Sequence, residues 1–297
     1  MKAKKLYKEL ARVFDIKTPN DDWYMKNKKY LTPAFKNGKG KEMGVMIDNA
    51  KVIGKVYTAT FLGEDVIERL ERDNAKDALV FVHHAKDWDM GNLKTGGELF
   101  TEICEKSYNF LKDNRISVYV AHHPLDNNRS EININKSLAN ALGLEIVDNN
   151  LVELFGISLG VVCRTKAKTV AELQKQVESS IGHKCFLVGD GKASVKGGLV
   201  AACGGGGNNL DVYKVLVDKG VNTYITGVVN IETGYPPAVE ALEFAKANKI
   251  NVIAATHYTT EKFALVDMVD WFRQFGLDAT FIEQEPKFTD YTYKGGL

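Results

Sequence analysis

ALVFVHHAKDW, residues 78–88, runs an apolar, strand-forming stretch straight into two adjacent histidines. The chain has only six histidines in 297 residues, so a neighbouring pair calls for a reason. In a regular strand, successive side chains point to opposite faces. His83 and His84 can therefore serve one site only at a strand end. Asp87, Asp89 and Gly91 just beyond mark such an end. The strand is expected to stop at Val82 or His83.

Working outward, the same texture repeats. GVMID and KVYTATF read as strands before the quoted segment, with EDVIERLERD as a helix. After it come a helix over GELFTEICEKSYNFLKDN, a strand over ISVYVAHH, and a helix over EININKSLANALG that its glycine ends. LVELFGISLGVVCRT is more continuously apolar, and TVAELQKQVESSIG is helical. The alternation then resumes through KCFLVGD, GLVAACGGGG, NNLDVYKVLVDKG, NTYITG, YPPAVEALEFAKANK, INVIAATHY, EKFALVDMVDWFRQFG and ATFIEQ. This pattern predicts an α/β fold of two lobes with mainly parallel or mixed sheets. The expected layout is an N-terminal helix and polar arm over 1–42, a first lobe over 43–150 and a second over 151–297. The Lys/Asn-rich stretch 15–42 reads as a long loop, a feature that tends to be functional or interfacial.

Composition narrows the function classes. Lys and Arg number 39 against 38 Asp and Glu, a net charge of +1, which argues against a nucleic-acid footprint or an acidic-lipid anchor. No stretch approaches 18 consecutive apolar residues, so no membrane span is expected. Leu6, Leu10, Val13 and Phe14 follow helical spacing, which favours a surface helix over a signal peptide. Cys104, Cys163, Cys185 and Cys203 form no C-x-x-C pair and read as reduced, mostly buried thiols of a cytoplasmic protein.

Three strand ends carry metal-ligand types: His83-His84; His122, His123 and Asp126 in YVAHHPLD; and His257 with Glu261 in ATHYTTEKF. Only His183 lies away from a strand end. Imidazoles mixed with carboxylates suit Zn, Fe, Mn or Ni rather than a thiolate-selecting ion. His257 and Glu261 are i and i+4, so a helical turn would place them on one face. His122 and Asp126 share that spacing, but Pro124 disfavours helix at His123, so this pair is expected to converge from a loop. The ligand set exceeds the needs of one ion; a carboxylate bridging two divalent ions is the natural arrangement for hydrolysis. Gly204, Gly205, Gly206 and Gly207 follow a strand and precede a helix. They could cradle a small anion, or form a tight turn with Asn208 or Asn209 as N-cap. No G-K-[ST] follows, so this is not a P-loop.

LVFVHHA, AHHPLD with its following LANALGL, CGGGGN, NTYITG and ATHYTTEKFA, in that order, resemble the NIF-three-like dinuclear metal-centre proteins, also called GTP cyclohydrolase I type 2 homologs. The resemblance spans Gly44 to Gly276. It implies two divalent ions per chain, in the cleft between the lobes, held by His83, His84, Asp126, His257 and Glu261, with Glu261 bridging. It implies His122 as a proton-transfer group, and assembly of the chain with itself into a ring-shaped homohexamer. After TYITG the family commonly has Asp and then histidine; here Val228, Val229, Asn230, Ile231 and Glu232 stand instead. Two functions follow: a metal-dependent hydrolase of a nucleotide-like or phosphorylated small molecule, or a non-catalytic metal-binding, ring-forming regulatory or interaction protein.

Overall fold

In the computed structural model, residues 1–14, 43–230 and 236–291 are described. The arm expected over 15–42 lies outside them, as do Ile231 and Glu232. α1 (Ala3–Val13) comes first, then β1 (Met43–Ile47), β2 (Lys55–Phe61), α2 (Glu64–Arg72), β3 (Ala78–His84), β4 (Asp87–Trp88), α3 (Met90–Lys94), β5 (Phe100–Thr101), α4 (Glu105–Asp113), β6 (Ile116–Ala121), α5 (His122–Asp126) and α6 (Ile134–Ala141). The chain continues with β7 (Glu145–Asp148), β8 (Val152–Leu154), β9 (Ile157–Leu159), β10 (Val161–Arg164), α7 (Val170–Ile181), β11 (Phe186–Val188), β12 (Leu199–Ala202), α8 (Leu210–Asp218), β13 (Thr223–Thr226), α9 (Pro236–Ala247), β14 (Asn251–Ala254), α10 (His257–Arg273) and β15 (Asp278–Phe281).

Two mixed sheets result. The first has the order β1-β6-β3-β2-β15, with only the β1–β6 pair antiparallel. The second has the order β11-β14-β13-β12-β10-β7, with β12, β13 and β14 parallel at its centre. The α/β expectation holds. The sheets do not divide at residue 150, however: β7 belongs to the second and β15 returns to the first. β3 is buried at all its positions because both faces of a central parallel strand are covered.

Local chemistry sets the helices. α7 opens on a capping box between Thr169 and Glu172 and closes on Gly182 in the left-handed region. α1 buries Leu6, Leu10 and the following Phe14 completely, as the helical spacing predicts. α10 covers the first sheet: Phe272 meets Phe81 edge-on, with ring centroids 5.6 Å apart, and Phe81 stacks on Tyr119. Truncating Phe272 to Ala would cost about 3–5 kcal/mol in this packed layer.

Three local expectations are corrected. The helix expected from Gly97 begins only at Glu105, because Trp88↔Phe100 and Asp87↔Thr101 pair as a small hairpin. β3 does not stop at Val82 or His83: it runs through His84, which pairs with Phe61. HHPLD is one turn of helix, not a loop. Pro124 is its third residue, where the missing N–H would have had no helical partner anyway.

Candidate metal centre

The C-terminal ends of β3, β6 and β14 meet, and each delivers imidazoles or carboxylates. Although β3 continues through His84, its pairing with β6 ends at Val82↔Val120. Past that point only β2 holds the strand, and α5 turns away. His83 and His84 therefore face a common space beyond the edge of β6, with ring centroids 4.2 Å apart and planes at 67°. The Nδ1 of His83 lies 3.1 Å from the Ala121 carbonyl, which fixes the ring and aims Nε2 inward.

α5 brings in His122 and Asp126. Asp126 Oδ1 stands 3.4 Å from His83 Nε2, and its Oδ2 stands 3.9 Å from His122 Nε2. From the other sheet, α10 begins at His257, so the i,i+4 pair does share a face. Glu261 divides its oxygens: Oε1 lies 3.0 Å from His257 Nε2 and 3.5 Å from His83 Nε2, while Oε2 lies 2.9 Å from His84 Nε2. Ligand atoms of His84, His257 and Glu261 lie within 4.8 Å of one another, as do those of His83, Asp126 and Glu261. The structure thus brings together all five residues expected as ligands, with His122 beside them. His122 and His123 form a further compact group with Asp126.

These distances test the fit of metal ions. His83 Nε2 is fully buried and has no hydrogen-bond partner. Its nearest carboxylate oxygens, at 3.4 and 3.5 Å, are beyond the usual N–H···O range. Two ligands about 2.0–2.1 Å from one tetrahedral ion stand about 3.4 Å apart. The donor set and this spacing fit a divalent ion between His83, Asp126 and Glu261, while His84 and His257 stand at hydrogen-bond distance from Glu261, at 2.9 and 3.0 Å.

Without an ion, the charges of the cluster balance one another. Burial pushes the Glu261 carboxyl up, but the His257, His84 and His83 rings outweigh it and hold the group well below the usual carboxylate range. Burial likewise opposes ionisation of Asp126, and His83 overcomes it. Burial pulls His83 down, yet the Glu261 and Asp126 charges raise it well above an ordinary imidazole. In His84 burial wins and keeps the ring neutral. The pocket is built for negative charge balanced by positive charge.

The glycine loop packs directly on this cluster. Gly205 has φ +63°, and a Cβ there would collide with Glu261 Oε1 and come within 3.1 Å of His257 Nε2. Two of the loop's N–H groups are spent internally: Gly204 donates to Asn135 Oδ1 (3.1 Å) and Gly205 to Thr260 Oγ1 (2.9 Å). The close approach of the loop to Glu261 and His257 needs glycine at 205. Asn209, one of the two expected caps, accepts from Asp211 N–H.

Sequence reasoning missed several residues that position the site. Asp290, completely buried, accepts from the Trp88 indole N–H (2.7 Å) and the His257 backbone N–H (2.8 Å). Burial pushes its carboxyl up to about 6. Asn135 donates to the Asp126 carbonyl (3.1 Å), so one side chain ties the α5 turn to the glycine loop. Thr256, at φ 60° and ψ 152°, occupies a region almost reserved for glycine, a strain of about 1–3 kcal/mol held in place by its cap to Thr259 N–H. Asp290 and Thr256 carry no local sequence signal. Asn135 sits in a helix whose asparagines read as ordinary polar positions.

Residues 25–287 match the family Duf34/NIF3 (NGG1p interacting factor 3). The chain belongs to the Duf34/NIF3 family. Among Duf34/NIF3 relatives, the GTP cyclohydrolase 1 type 2 homolog of Archaeoglobus fulgidus is 27% identical over 242 residues, spanning 81% of this chain and 88% of its own. The protein of the same name from Yersinia pestis is 26% identical over 241 residues, spanning 81% and 88%. The solved structure of protein ybgI, of unknown function, superposes with a TM-score of 0.67 at 20% identity, covering 96% of this chain and 100% of its own. Reduced HcgD from Methanocaldococcus jannaschii gives 0.64 at 20% identity, covering 96% and 98%. At these identities the structural likeness establishes the Duf34/NIF3 fold. Among the described residues no helix is long and apolar enough to cross a membrane.

Proposed function

We propose that this Duf34/NIF3 chain binds two divalent metal ions through His83, His84, Asp126, His257 and Glu261, and that it is a metal-dependent hydrolase of a nucleotide-like or phosphorylated small molecule. One observation carries the metal reading. His83 Nε2 is buried, lacks a hydrogen bond, and stands at coordination-edge distances from two carboxylates. The divided oxygens of Glu261 support a bridging role. Such ions supply Lewis-acid activation of water and of a phosphoryl or ring carbon.

The chain's own residues contribute the rest. His122, with about 17% of its side chain exposed, stands between solvent and the cluster, its ring 4.7 Å from that of His84. That place suits a group passing a proton between substrate and solvent. Phe61 stacks on His84 at 4.7 Å, and Trp88 meets His257 edge-on at 4.6 Å; both exclude water from the inner face. The exposed Gly206 leaves space beside the cluster for a small anionic ligand. The names of the curated relatives point to a GTP cyclohydrolase-like reaction, a specific form of the same hydrolytic chemistry.

A second reading, a metal-binding regulatory or interaction protein without turnover, is favoured by Val228 and Val229. Where the family resemblance expects Asp and later histidine, these are buried, and Val228 packs in an apolar cluster with Phe61, Trp88 and Tyr258. A self-assembled homohexameric ring and a cytoplasmic location rest on the family resemblance and the thiol composition; light scattering of the purified protein tests the first.

Elemental analysis of the protein purified without chelator, beside His84→Ala and Glu261→Ala, tests the metal reading. About two equivalents in the parent, lost in both variants, are expected; a metal-free parent contradicts it. A turnover screen over nucleotides and phosphoesters then separates the two functions.

A further inference from the structure

Phe61 and Trp88, whose rings pack on His84 and His257, also line a cavity of about 320 Å³. Phe61, Trp88, Tyr258 and Ile103, all nearly buried, form its apolar walls, and Glu64, Asp65 and Glu285 stand exposed at its mouth. Lys287 is the only cation among the described lining residues, and its Nζ is bound to Asp87 Oδ2 at 2.6 Å. Glu102 is likewise balanced by Lys86 at 3.0 Å.

Glu64, Asp65 and Asp290 are held by neutral donors. Glu64 accepts from Ser107 Oγ (2.5 Å) and the Cys104 N–H, Asp65 accepts from the Gln284 amide (2.9 Å), and Asp290 accepts from an indole and a backbone N–H. Such bonds stabilise the charges without cancelling them. An anion would meet net repulsion here. Nor do these carboxylates suit an inorganic ion, since among the described residues they form no compact group of three. Aromatic faces with surplus negative charge around them favour a cation that carries its own apolar surface.

We propose that this cavity binds a small organic cation of the alkyl- or quaternary-ammonium class. Its apolar shell sits against Trp88 and Phe61, and its charge is balanced by Asp65, Glu64 and Glu285. No histidine of the cluster lines the site.

Calorimetric titration of the full chain with choline, and with its uncharged isostere 3,3-dimethylbutan-1-ol, separates charge from shape. Choline is expected to bind about tenfold tighter or more, as a desolvated cation–aromatic contact implies. The Asp65→Asn, Glu285→Gln double variant alters only exposed side chains. It should weaken choline several-fold while leaving the alcohol unchanged and the circular dichroism intact. Equal affinity for the two compounds, absence of choline binding, choline affinity unaltered in the double variant, or preferential binding of benzoate would each overturn the proposal.

Discussion

The backbone N–H of His257 donates to Asp290 Oδ2 at 2.8 Å, so a residue near the end of the described chain fixes the first residue of the helix that carries Glu261. The same carboxylate holds Trp88, whose ring packs against that of His257. Asp290→Ala would strand two donors, each costing about 1–3 kcal/mol when buried without a partner. Thermal denaturation should show a clear loss of stability, and metal titration a weaker site. Asp290→Asn, which keeps one acceptor oxygen, should lose less on both measures.

The glycine loop offers a contrast within one turn. Gly205→Ala would force a methyl into Glu261 and an L-residue into the left-handed region, itself a strain of about 1–2 kcal/mol. Gly206 has open space around it. Metal content should fall sharply in the first variant and stay at the parent's level in Gly206→Ala. Equal effects would remove the close approach of Gly205 from the account.

In the metal-free protein Glu261 sits below its ordinary 4.5 and Asp126 below 3.8, so the unfolded chain binds protons first as pH falls. Their contribution is present above those ordinary values and is lost as pH falls through the folded ones. His83 runs oppositely: its contribution is present below 6.5 and is lost as pH rises through its raised value. Denaturant midpoints of chelator-treated protein should therefore drop on acidification below about pH 4. Metal affinity should already weaken as pH falls through the raised value of His83, above 6.5, where that imidazole takes up a proton in place of the ion.

How much of this was legible in the sequence depends on range. His83, His84, His122, Asp126, His257 and Glu261 could be found because each lies at or just past the end of an apolar run. Parallel α/β sheets gather those ends. The i,i+4 spacing of His257 and Glu261 survived because it needs only one helical turn. What failed was set by partners distant in sequence. β3 extends through His84 because Phe61 on β2 pairs with it, and β15 joins the first sheet only after the whole second sheet is made. The helical turn at HHPLD escapes a rule that sets proline against helix generally, because a first turn tolerates it. Asp290 was invisible because nothing nearby in sequence announces a carboxylate buried some 30 residues after the N–H it holds.

His122 separates binding from turnover. Under the hydrolase reading, His122→Asn should retain metal and slow turnover by roughly 10²–10⁴-fold, the usual worth of a positioned proton-transfer group. Elemental analysis and initial rates on the best substrate from the screen read the two quantities. Loss of metal with the rate would recast His122 as a ligand. Unchanged rate and metal content would remove it from the mechanism.

The proposed bridging of two ions by Glu261, among His83, His84, Asp126 and His257, can be seen directly. A crystal of the protein purified without chelator, recorded at the absorption edge of the metal found by elemental analysis, tests this most directly. Two anomalous peaks per chain, about 3.5–4 Å apart and both beside the Glu261 carboxylate, are expected. A single peak, or none between these side chains, would contradict it.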